Sequence, residues 1–156
     1  MHYCLFSAER QGCHLKMLTL LLLLLGLGSV FGALLSQKPS RAIRQRGTSM
    51  TIECQADSQL NFMYWYRQLP GQSLVLMATA NQGSKATYES EFTEDKFPIS
   101  RPNLAFSTLT VSNASSEDSS SYFCSAGDQG ERDPLYFGAG SKLTVLDDLR
   151  QVHPPK

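Results

Sequence analysis

Asp118-Ser119-Ser120-Ser121-Tyr122-Phe123-Cys124 alternates with the two-residue period of an extended chain, placing Ser120, Tyr122 and Cys124 on one side and Phe123 on the other. The same period recurs on both sides of this stretch. Upstream, Ser49-Met50-Thr51-Ile52-Glu53-Cys54 puts Met50, Ile52 and Cys54 on a common apolar face, and Met63 and Trp65 point the same way from the segment after it. Leu109 and Val111 form another such pair, and downstream Leu143 and Val145 form the last. Turn formers separate the runs, at Pro70-Gly71, Asn81-Gln82-Gly83, Arg101-Pro102-Asn103 and Ser115-Ser116-Glu117-Asp118. No long segment has helical spacing, so the expected fold is an all-β sandwich of about nine strands.

Lys16 precedes an apolar run from Met17 through Leu25, and the small residues Gly26, Gly28, Ser29 and Gly32 follow. That order is the one of a secretory signal, and the run has only about half of the roughly 20 residues a membrane-spanning helix needs. The expected organisation is an N-terminal extension and signal over 1–32, with Met17 as an alternative start to Met1, then one domain over 33–146 and a short following stretch over 147–156. Cleavage near Gly32 removes Cys4 and Cys13, leaving Cys54 and Cys124 in an oxidising compartment. The charge balances at 14 basic against 14 acidic residues, which gives no basic patch to argue for nucleic acid. His2 and His14 fall before the cleavage point and His153 lies in the tail, so the mature domain offers a nucleophilic cysteine no histidine base. The chain is therefore expected to be no enzyme, with no cofactor and no metal.

Trp65 stands eleven residues after Cys54, Tyr122 precedes Cys124 by two, and Phe137-Gly138-Ala139-Gly140 follows. This constellation resembles a rearranged immunoglobulin variable domain, a V-type Greek-key sandwich. The resemblance implies that Cys54 and Cys124 are joined between the facing sheets, that Trp65 packs on the bridge and that Tyr122 ties down a corner. Within that class Trp65-Tyr66-Arg67-Gln68, Pro70-Gly71-Gln72-Ser73-Leu74 and the run from Glu117 to Ala126 look like a T-cell receptor β chain more than an antibody light chain. Phe137 to Leu146 resembles a β joining segment, and Asp147-Asp148-Leu149-Arg150-Gln151-Val152-His153-Pro154-Pro155 the opening of the β constant domain.

The family implies a recognition module that pairs with a T-cell receptor α chain, binds peptide presented by MHC molecules, and passes its signal to CD3 signalling chains. Localisation follows as the secretory pathway and the extracellular face of the plasma membrane, with no membrane anchor in this fragment. An antibody-light-chain-like domain that binds free antigen, or a V-set adhesion receptor, is the alternative. By the same resemblance Tyr66, Gln68, Leu74, Phe123 and Phe137 face the α chain, and the outward alternation of Tyr66 and Gln68 about Trp65, and of Phe123 about Cys124, agrees with that.

Antigen contact is expected at three loops at one end of the sandwich. Ser58, Gln59, Leu60, Asn61 and Phe62 make the first, and Ala80, Asn81, Gln82, Gly83, Ser84, Lys85 and Ala86 the second. The third reads as a junctional insertion, Gly127, Asp128, Gln129, Gly130, Glu131, Arg132, Asp133 and Pro134. Arg132 can fork onto a ligand carboxylate or pair with Asp128, Glu131 or Asp133. Asn113-Ala114-Ser115 is a glycosylation sequon. Asp118 resembles the acidic half of a framework salt bridge whose cation is Lys96 or Arg101. Gly138 and Gly140 are expected to shape the entry to the final strand.

Overall fold

The computed structural model describes residues 34–128 and 134–148. Eleven strands follow one another: β1 (Leu35–Lys38), β2 (Arg41–Gln45), β3 (Met50–Ala56), β4 (Phe62–Gln68), β5 (Val75–Thr79), β6 (Thr87–Tyr88), β7 (Ile99–Asn103), β8 (Phe106–Val111), β9 (Ser120–Gly127), β10 (Tyr136–Phe137) and β11 (Ser141–Leu146). A 3-10 turn, Ser116–Asp118, leads into β9. One sheet has the order β1-β3-β8-β7, the other β2-β11-β9-β4-β5-β6, with β10 paired to β9.

The strand count exceeds the expected nine or so for two reasons. The first strand is split at Pro39, which has no N–H for a ladder. Its first half, β1, pairs antiparallel with β3, and its second half, β2, crosses to the other sheet and runs parallel to β11. β6 and β10, of two residues each, supply the rest.

Alternation fixes the core. In β3 every second side chain is buried, so Met50, Ile52, Cys54 and Ala56 face inward between exposed Thr51, Glu53 and Gln55. Met63, Trp65, Leu109, Val111, Tyr122, Cys124, Leu143 and Val145 join them in one buried cluster. The disulfide Cys54–Cys124 connects the two sheets across a Cα separation of 6.4 Å. Trp65 lies directly opposite Cys124 in the β4/β9 register, and its indole Nε1 donates to Ser107 Oγ at 3.0 Å. Burying an indole N–H without that acceptor is costly, and Ser107 in turn donates to the Ser100 carbonyl, so the polar atoms under the tryptophan are satisfied.

The corner is tied by Tyr122, whose hydroxyl donates to the Asp118 carbonyl at 3.0 Å. Burial, reinforced by the Asp118 carboxylate and partly opposed by Arg67, pushes the phenol's pKa well above the ordinary tyrosine value. The guanidinium of Arg67 sits 4.9 Å from the Phe92 ring centre and closes the core beside it.

Arg101-Pro102-Asn103 departs from expectation. These residues are not a turn but the end of β7, where the pairing with β8 slips between Ser100 and Asn103. β7 is the outer strand of its sheet, and an outer strand accommodates a proline because the missing N–H faces no neighbour. The reversal falls at Leu104 and Ala105 instead.

Candidate functional site

Two surfaces stand out, a pole of loops and a half-exposed sheet face beside it. The loops connecting β3 to β4 and β5 to β6 meet at one end of the sandwich, and the described ends of the third segment, Gly127, Asp128 and Pro134, lie beside the first. In the first, Ser58, Gln59 and Asn61 are exposed, whereas Leu60 is buried and Phe62 already belongs to β4. In the second, Gln82, Gly83, Ser84 and Lys85 are exposed, Asn81 and Ala86 are half-buried, and Ala80 is buried. Asn81 closes this loop on itself, its Nδ2 donating to the Lys85 carbonyl and to Thr87 Oγ1, both at 2.9 Å. Gly83 adopts a φ of 66°, which suits a residue without a Cβ.

The third segment begins inside β9, since Gly127 is paired with Phe62 and buried. A Cβ there would lie 3.0 Å from the Pro134 carbonyl oxygen, so glycine lets the two arms of the loop approach. Asp128 is exposed and its Oδ1 accepts the Asn61 backbone N–H at 2.9 Å, linking the third segment to the first. Pro134 is exposed on the returning arm. Gln129, Gly130, Glu131, Arg132 and Asp133 lie outside the described residues. Leu60, Ala80 and Gly127 are thus buried and present no side chain at the surface of the pole, a correction to the expected loop membership.

The sheet face is made by the outward side of β4, β9 and β10. Tyr66, Gln68 and Phe123 are half-buried there, and Phe137 and Leu74 expose 46% and 40% of their surfaces. Tyr66 and Phe137 pack with ring centres 5.5 Å apart. Gln68 Nε2 donates to the Gln72 carbonyl at 3.1 Å. The alternation that puts Tyr66 outward does the same for Phe62 and Tyr64, whose rings stack 6.5 Å apart, and Val75 and Leu135 are also exposed. Phe62 and Tyr64 were legible from the sequence by period alone, yet were not assigned to this face.

Two glycines shape its edge in different ways. A Cβ on Gly140, whose φ is 92°, would strike the Phe123 ring at 2.5 Å. Gly138 has no unusual angle, but a Cβ on it would meet Gln37 Oε1 at 2.5 Å and the Cys124 sulfur at 3.1 Å. Gln37 is itself a buried polar bridge that sequence reading missed. Its Nε2 donates to the Tyr122 carbonyl at 2.7 Å and to Ser141 Oγ at 3.0 Å, and its Oε1 accepts the Cys124 N–H at 3.2 Å. The signal was an amide at the inward position of the alternation Leu35-Ser36-Gln37.

At the opposite pole Asp118 is paired with Lys96, 2.7 Å away, and not with Arg101. Lys96 also donates to the carbonyls of Ser112 and Asn113. Asn113 of the sequon is exposed, and with a φ of 45° it is the one non-glycine among the described residues in the left-handed region, where asparagine is better tolerated than most.

Comparison with known proteins adds to this geometry. The immunoglobulin V-set domain family matches residues 37–146. Human T cell receptor beta variable 29-1 is 77% identical over 109 residues, covering 70% of this chain and 98% of the relative. Human T cell receptor beta variable 20-1 is 60% identical over 108 residues, covering 69% and 97%. Among solved structures, a chain 50% identical superposes with a TM-score of 0.69 over 74% of this chain and all of its own length, in a structure concerned with T cell specificity and activation by the bacterial superantigen toxic shock syndrome toxin-1.

Proposed function

The chain belongs to the immunoglobulin V-set family and, within it, to the T-cell receptor β variable domains, and from that premise we propose that it is the antigen-reading part of a receptor that pairs with an α chain and binds peptide held by an MHC molecule. The family is one of receptors displayed at the cell surface, not of enzymes. No helix among the described residues is long and apolar enough to cross a membrane. In this reading residues 1–32 are removed as a signal during secretion, 33–146 form the variable domain with its joining segment, 147–156 open a constant region, and CD3 chains carry the signal. Exposed Asn113 is the acceptor position a glycan would use.

The observation that carries the reading is the half-exposed aromatic stripe beside the loop pole. Phe137 and Leu74 leave apolar surface in water around an amide and two partly covered rings, an arrangement that gains free energy when a matching domain covers it. A partner seated there lines up its own loops with the exposed Ser58, Gln59, Gln82, Ser84, Lys85 and Asp128.

The test is a pairing competition. Co-expressed with an α variable domain and, separately, with an antibody heavy-chain variable domain, the chain is expected to sediment as a one-to-one complex with the first. Pairing with the heavy-chain domain alone would favour the light-chain reading and overturn this one. Phe137→Ser is expected to abolish pairing while leaving the melting temperature nearly unchanged, because the side chain is largely outside the core.

A further inference from the structure

The bases of the first two loops converge on one side chain. Arg101, on the outer strand β7, is only 4% exposed. Its Nη1 donates to the carbonyls of Asn61 at 3.1 Å and Ala80 at 2.9 Å, and its Nη2 to those of Leu60 at 2.5 Å and Leu104 at 3.3 Å. Its own carbonyl accepts the Gly83 N–H at 3.0 Å, so the second loop is held at its base and at its tip by the same residue. Nε is buried with no hydrogen-bond partner, and none of the described ion pairs includes this guanidinium. Burial lowers its pKa from the usual guanidinium value.

A buried cation ordinarily finds a carboxylate, and at the other pole even the partly exposed Lys96 has one. Arg101 instead directs its donors to backbone oxygens of three separate segments and leaves one donor unused. The planar fork is what allows this, because its two terminal nitrogens reach the first and second loops simultaneously, whereas a lysine ammonium is a single point. Each loop therefore relies on a side chain that the other also holds in place. Among the described residues the third segment meets this unit through Asp128 and the Asn61 N–H, and through the pairing of Gly127 with Phe62.

We infer that Arg101 is a positioning residue that locks the first and second loops to each other, so that they meet a ligand as one unit. The functional half of this rests on the reading of those loops as a recognition surface. When Arg101 loses its fork, the two loops open together.

The experiment compares Arg101→Lys and Arg101→Met with the unaltered chain, in the full oxidised protein, by amide hydrogen exchange. With lysine, exchange over 58–62 and 80–86 is expected to rise in both segments by about tenfold or more, while β3 and β8 keep their protection. A rise in one loop alone, or in neither, would overturn the inference. So would a rise in β3 and β8 alongside the loops, which would make Arg101 a support of the whole sandwich. Methionine keeps much of the stem and removes every donor, so it should show the same pattern more strongly; if it unfolds, the lysine variant decides. A second arm pairs each variant with an α chain and sorts a displayed peptide–MHC library. The lysine variant is expected to select a different set with faster dissociation. Altered exchange with an unaltered selected set would keep the coupling of the loops and overturn their reading as a recognition surface.

Discussion

The two ends of the sandwich are closed by cations that work in opposite ways, one partly exposed and paired, the other buried without a carboxylate. β8 runs between them: beyond its end Lys96 meets Asp118, and before its start Arg101 meets only carbonyls. The Lys96 end is neutralised internally and is tied to Tyr122 through the Asp118 carbonyl, so it serves the fold. The Arg101 end gathers the loops that lead to the exposed pole. A salt bridge can be made from two framework residues and ignores what the loops are. A guanidinium bound to loop carbonyls holds backbone and leaves the loop side chains free to vary.

The disulfide sits between the two ends, and removing it should weaken both. Cys54 and Cys124 are 70 residues apart in sequence, and closing such a loop contributes about 4 kcal/mol in the chain-entropy account. Cys54→Ala combined with Cys124→Ala is expected to lower the unfolding free energy by about that amount, read from guanidinium titration, a large share of the about 5 to 15 kcal/mol a domain has. Loss from only one end by hydrogen exchange, with the other unchanged, would show that the ends are not joined through the bridge.

Next in size is Asp118→Ala. The carboxylate, on a side chain 5% exposed, accepts from Lys96, from the Ser115 N–H and from Ser115 Oγ. Breaking a fully buried pair costs about 3 to 5 kcal/mol, but the Lys96 side chain is a third exposed and regains some hydration, so about 2 to 3 kcal/mol is expected. If the ends are independent, the loss in the double variant Asp118→Ala, Arg101→Lys equals the sum of the single losses within about 0.5 kcal/mol. A larger departure would mean that β8 couples them.

Most of the fold was legible because its cause is periodic. Met50, Ile52, Cys54, Trp65, Tyr122 and Leu143 are buried where alternation puts them. What escaped was polar and non-local. Nothing in the sequence says that Arg101 finds its acceptors in the backbone of Leu60 and Ala80, because carbonyls are present at every residue and carry no sequence signal. Gln37 escaped for the same reason: its partners are the backbones of Tyr122 and Cys124 and the hydroxyl of Ser141. Pro102 was read as punctuation, and only the sheet order shows that β7 is an outer strand that admits it. For the candidate site, the pole and the sheet face were legible as locations, while the division between exposed Gln82 and buried Ala80 depends on how the chain returns to the core.

Tyr122→Phe tests the framework end more gently. It removes the hydrogen bond to the Asp118 carbonyl and should cost about 1 kcal/mol near neutral pH. Its pH dependence is the sharper reading. The folded phenol has a pKa raised above its reference value of 10.0, so the folded state binds the proton more tightly than the unfolded one. That contribution to stability is complete below pH 10 and declines as the pH rises above it, since the unfolded chain ionises first. The difference between the two proteins, measured by denaturant titration at pH 8 and pH 10.5, is therefore expected to shrink at the higher pH. A constant difference would mean that the phenol is not held neutral by the corner.

The smallest effect belongs to an ion pair at the same end that differs from Lys96–Asp118 in one respect. Arg46 Nε lies 2.5 Å from Asp147 Oδ1, a good contact by distance, but the two side chains are 54% and 69% exposed. Water already solvates both charges and salt screens them, so Arg46→Ala is expected to cost no more than about 0.5 kcal/mol. The backbone bond from the Arg46 N–H to the Leu146 carbonyl survives the substitution and keeps β2 beside β11. Measured beside Asp118→Ala at low and at 1 M salt, the exposed pair should lose what little it contributes while the buried pair keeps most of its own. If both responded equally to salt, burial would not be what separates the charge that serves the fold from the charge that merely lies on it.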